Sequence, residues 1–173
     1  MRKIDVQYFE VIILVLLALI SDIRTYKIKN IIVFPFMIIG MVTNTLINGF
    51  EGFMFSLAGC IIPVILLILL YILRMLGAGD IKLFSAIGAI MGSGFVLYTI
   101  AYSFLCGGVM ALCLMIIHKH GKQRLYYLYR YLKTCLITLS VHPYTDFEDK
   151  TDGAKFHFAY AVACGTLITL ILY

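Results

Sequence analysis

Apolar residues fall into six runs separated by short polar breaks: Val6 to Ile20, Ile31 to Ile47, Phe53 to Leu73, Asp80 to Met91, Phe95 to Ile117 and Phe156 to Tyr173. The runs are nearly continuous and lack the regular polar face that a helix on a soluble core keeps toward water. Most are long enough to cross a hydrocarbon layer about 30 Å thick. Asp80 to Met91 is the exception, since it makes only about 18 Å of helix. The breaks are Ser21 to Asn30, Asn48 to Gly52, Arg74 to Gly79 and Gly92 to Gly94, and one long polar region runs from His118 to Lys155. This pattern predicts an all-α polytopic membrane protein with six transmembrane helices, the third kinked at Pro63. Residues 1–173 are expected to form a single membrane-embedded domain. A cleaved signal peptide does not fit the first run, which has Asp5 and Glu10 at its start and no A-x-A-like site after it.

Composition agrees with a bilayer as the solvent: 62% of the residues are hydrophobic and only 13% charged, against about 25% charged in soluble domains. The net charge of +5 does not point to nucleic acid, because the cations follow the topology. If the short fourth run spans, Asp22–Asn30, Arg74–Lys82 and His118–Lys155 share one side, which then holds all but Arg2 and Lys3 of the 14 Lys+Arg. The positive-inside rule makes that side cytoplasmic, with both termini outside. Within the long polar region, Leu125, Leu128, Leu132 and Leu136 recur at helical spacing among Tyr126, Tyr127, Arg124, Arg130 and Lys133. That pattern predicts a cytoplasmic amphipathic helix in the headgroup layer between helices 5 and 6. The five cysteines contain no CxxC pair, so neither a zinc site nor a disulfide framework is expected.

Two acids stand apart. Asp22 closes the first run and Asp80 opens the fourth, both next to apolar helix at the inner boundary, where a carboxylate is expensive unless it is paired or neutralised. Asp5, Glu10 and Glu51 are assigned to the outer side. Asp146, Glu148, Asp149 and Asp152 lie in the polar loop, where they would attract a basic peptide only over about a Debye length, ~8 Å. Two carboxyls around a water are a sufficient hydrolytic unit without metal: one takes the water's proton while the other polarises the substrate carbonyl. Asp80 alone also fits a helix N-cap, with Gly77 and Gly79 as a turn. His118-x-His120 lacks further ligands, so no metal or cofactor is expected. An alternative is a small proton- or cation-coupled transporter using the same two aspartates. The two aspartate contexts are dissimilar, whereas transporter folds are often built from repeated halves.

The stretch Asp22-Ile23-Arg24 with Lys27-Ile28-Lys29-Asn30, followed by Gly77-Ala78-Gly79-Asp80-Ile81-Lys82-Leu83, resembles the type IV prepilin peptidase family of GxGD aspartic proteases. Lys29 stands where that family usually has proline, and Ala78 where it usually has glycine. Phe156-His157-Phe158-Ala159 is similar to a weaker P-F-x-P motif but lacks its prolines. The resemblance implies that Asp22 and Asp80 are catalytic and that Gly77, Gly79, Lys82, Arg24 and Asn30 support them. It further implies prepilin or pseudopilin substrates cut after a short basic leader at the cytoplasmic face of a bacterial cell membrane, with pilus assembly machinery as a further partner. Nothing matches the CxxC-bearing insert of larger members, so the chain resembles the small peptidase-only members of tight-adherence (Flp) pilus systems, without N-methyltransferase activity.

Overall fold

The computed structural model describes residues 3–25, 27–73, 75–117 and 158–173, and among them every regular element is helical. In order these are α1 (Lys3–Thr25), α2 (Asn30–Ile72), α3 (Ala78–Ile117) and α4 (Phe158–Leu172). The first three are long and apolar enough to cross a membrane. An unbroken helix is what a chain in hydrocarbon must form, because no water is present to satisfy an open N–H or C=O. The long polar region from His118, with its expected amphipathic helix, lies outside the described residues.

With 43 residues, α2 would measure about 65 Å if straight, twice the thickness of a bilayer core. It is instead two arms that fold back at Gly49, whose φ of 62° and ψ of −139° leave helical space. The fold-back is direct: the Ser56 hydroxyl donates to the Gly40 carbonyl at 3.4 Å, a pair that an unbroken helix would hold about 24 Å apart. The expected turn over Asn48 to Gly52 is made at Gly49, and Pro63 lies inside the second arm. A second break, at Gly92 (φ 83°, ψ 178°), divides α3. The rings of Phe84 and Phe104, one on each arm, lie 6.4 and 5.7 Å from the ring of Phe158 on α4. Their sequence separation would part them by about 30 Å in one straight helix.

The first arm of α3 is the centre of the bundle. Leu83, Phe84, Ile87 and Ile90 on it are at most 1% exposed, and the rest of the arm beyond Lys82 is buried as well. Around it α1, α2 and α4 turn large apolar side chains outward, among them Leu46, Ile65 and Leu69 at 82%, 68% and 63% exposed. An outer surface of this kind is matched to lipid. In lipid, apolar burial contributes little to helix association, and close backbone approach with good packing matters more. Gly59 and Gly88 meet so closely that a Cβ on either would overlap the other's carbonyl, and a Cβ on Gly165 would overlap the hydroxyl and backbone nitrogen of Ser103.

One buried amide secures the bend in α3. Asn44, 1% exposed, holds its Nδ2 at 3.1, 3.2 and 2.9 Å from the carbonyls of Gly40, Ala89 and Ile90. The last two are carbonyls that the break at Gly92 deprives of helical partners. Its own Oδ1 accepts from Gln7 Nε2 at 2.7 Å, so α1, α2 and α3 are joined at the end of the bundle remote from Asp80.

Candidate active site

Asp22 lies in the last turn of α1, which runs past Ile20 to Thr25, and it is only 9% exposed. The turn that follows is organised by Ser21. Its hydroxyl donates to the Lys27 carbonyl at 3.0 Å and accepts the Lys29 N–H at 3.4 Å. The Thr25 hydroxyl lies 2.8 Å from the Ser21 carbonyl and 2.9 Å from that of Lys27. Carbonyls at a helix C-terminus are thus satisfied by side chains, and the chain reverses tightly enough to bring Ile28 back over the bundle.

Ile28 is what α3 meets. A Cβ on Gly79 would come within 3.3 Å of Ile28 Cβ, so the glycine allows the start of α3 to seat against the α1–α2 turn. Asp80 is the third residue of α3, not its cap. Gly77 holds the cap position: its carbonyl accepts the Asp80 N–H at 3.1 Å and the Ile81 N–H at 3.5 Å. The Asp80 carboxylate reaches back to accept the Gly77 N–H through Oδ2 at 3.3 Å, the arrangement of the acidic half of a capping box. A side chain at Gly77 would stand 3.0 Å from that same oxygen.

These contacts put the turn that follows Asp22 and the start of α3, which carries Asp80, at the same end of the bundle. Lys82 Nζ donates to Asn30 Oδ1 at 3.0 Å and sits 5.5 Å from the centroid of the Phe34 ring. Asp22, Gly77, Gly79, Asp80, Asn30 and Lys82 therefore meet at one end of the bundle, while Arg24 lies on the exposed surface of the last turn of α1. Ser21 and Phe34 also shape the site, as does Ile28 from within the motif stretch Lys27 to Asn30. Of Ser21 and Phe34, only Ser21 carried a signal in the sequence, its position directly before Asp22 in a polar break. Among the described residues, no three His, Cys, Asp or Glu side chains cluster as metal ligands would. His118, His120 and the acids at 146–152 fall outside the described residues.

The chain is thus a helical bundle with helices long and apolar enough to cross a membrane, carrying two acids on elements that meet at one end. The sequence profile of the type IV leader peptidase family matches residues 9–112, and the chain belongs to that family. The match contains both aspartates and the entire fold-back from α1 to the second arm of α3. No curated protein and no solved structure matches the chain.

Proposed function

We propose that the protein is a membrane-embedded aspartic endopeptidase that removes the short basic leader of type IV prepilins or prepilin-like proteins, with Asp22 and Asp80 activating the attacking water. Membership of a peptidase family supplies the reaction class. The observation that carries the rest is the packing of Gly79 on Ile28, which seats the start of α3, with Asp80, against the turn that follows Asp22. Two carboxyls arranged around one water are a sufficient hydrolytic unit without a metal. The ionised member takes a proton from water, and the protonated member donates to the scissile carbonyl oxygen as the tetrahedral intermediate forms.

Six helices are proposed to span, one for each arm of α2 and α3 plus α1 and α4, with the aspartate end in the cytoplasm as the distribution of cations favours. The substrate leader would then meet the pair where its own apolar helix enters the bilayer. The chain is proposed to act as a peptidase only.

Cleavage of a prepilin from the same source, followed in membranes as a leader-sized mobility shift, tests the reading. Asp22→Asn and Asp80→Asn are each expected to lower the rate by roughly 10² to 10⁴, the usual contribution of a positioned acid or base, at normal protein levels. Undiminished cleavage in either variant would remove the aspartic mechanism and favour the transport alternative.

A further inference from the structure

Lys82 invites a bland explanation: a lysine near a helix end whose stem lies on apolar surface while the ammonium reaches for headgroups. Its geometry is different. The ammonium is partnered by protein groups at the surface of the site, donating to Asn30 at 3.0 Å and lying over the Phe34 ring at 5.5 Å. Both partners belong to the start of α2, the element that separates the two aspartate-bearing helices. Asn30 directly follows Lys29, whose N–H is bonded to the hydroxyl of Ser21 at 3.4 Å, and Ser21 adjoins Asp22. Lys82 in turn is on the same turn of α3 as Asp80. A continuous route thus runs from Asp22 through Ser21, the Lys29–Asn30 backbone and Lys82 to Asp80.

Resting on the peptidase reading above, we propose that Lys82 and Asn30 are positioning residues, forming a brace that fixes the distance between the two catalytic carboxyls. The α1–α2 turn also touches α3 through Ile28 on Gly79, an apolar contact that limits approach but does not prevent sliding. The directional bond from Nζ to Oδ1 sets the register, and the Phe34 ring adds a cation–π attraction on the ammonium. Two carboxyls acting on one water are sensitive to such register, since a misplacement of about 1 Å can lower a rate by about 10²-fold.

The test uses the full chain in membranes with the same prepilin as probe, and separates kcat from KM for Lys82→Met, Asn30→Leu, their combination and Asn30→Asp. Each of the first two is expected to lower kcat by roughly 10- to 100-fold with KM changed less than about twofold, as for an interaction that serves the transition state and not substrate binding. Because both remove the same bond, the double variant should be no slower than the slower single. Asn30→Asp, which retains an acceptor for the ammonium, should stay within about threefold of wild type. Unfolding temperatures measured alongside should not follow the kcat losses. Losses that multiply in the double variant, a change confined to KM, or an unaltered Lys82→Met enzyme would each overturn the proposal. Should Lys82→Met fail to accumulate, equal rates for Asn30→Leu and Asn30→Asp overturn it instead. Asp22→Asn and Asp80→Asn in the same assay keep the two readings apart: if they cleave normally the peptidase mechanism itself fails, whereas if they are silent and the brace variants are normal only the brace fails.

Discussion

The two glycines ahead of Asp80 do different work. Gly79 has no room for a methyl group without displacing Ile28, whose Cβ would be 3.3 Å away, so a larger side chain there separates α3 from the turn that follows Asp22. Gly79→Val is expected to lower cleavage by about 10² by moving one carboxyl away from the other. Gly77→Ala crowds Asp80 Oδ2, 3.0 Å from the new Cβ, and the carboxylate can escape by rotating off the Gly77 N–H. A smaller loss, about 10-fold, is expected, since that rotation gives up a single hydrogen bond. Prepilin cleavage rates at matched protein levels check both, and equal losses would show that the asymmetry of the two contacts is irrelevant. Ala78, which departs from the family's usual glycine, is exposed, which explains why a side chain is accepted between the two.

At the scale of elements, two residues with positive φ decide how many times the chain turns. Gly49 and Gly92 both occupy backbone conformations that are essentially restricted to glycine, but their surroundings differ. Nothing lies within 4 Å of a Cβ added at Gly49, whereas one at Gly92 would run into the ring of Phe55. Gly49→Ala is expected to destabilise by about 1–3 kcal/mol, the dihedral strain alone. Gly92→Ala should be worse, and Phe55→Ala in the same chain should recover part of the difference. Thermal unfolding in detergent measures both; equal destabilisation by the two alanines would mean that the Phe55 contact carries no weight. The turn expected over Asn48 to Gly52 narrows to a single residue, since only Gly49 has to leave helical space.

For the whole molecule, the consequence is an order of sidedness. If each arm spans, Asn48 and Lys27, both exposed, lie on opposite sides of the membrane. In a background without the native cysteines, Asn48→Cys should react with an impermeant thiol reagent in intact cells, and Lys27→Cys only after the membrane is opened. Labelling of both from one side would contradict six spans. The short fourth run also finds its explanation at this scale. The first arm of α3 is the most enclosed helix of the bundle, with Phe84 and Ile87 fully buried, so its neighbours and not lipid surround most of its length.

The sequence by itself determined the helices, the apolar surface, the two aspartates and the glycine motif, because each follows from local chemistry: hydropathy over a run, a carboxylate beside apolar helix, a turn that needs glycine. The resemblance carried by those motifs also led to the family that the match over residues 9–112 establishes. What only the tertiary structure decided are relations between distant residues. Asn44 looks like an unremarkable polar residue in an apolar run, and only the packing of α3 against α2 gives it the Ala89 and Ile90 carbonyls. Ser21 looks like part of a polar break until its hydroxyl closes the turn onto Lys27 and Lys29. Lys82 and Asn30 could be singled out as motif residues, but not as partners, since a hydrogen bond across the bundle depends on how three helices seat together and leaves no periodic trace in the chain.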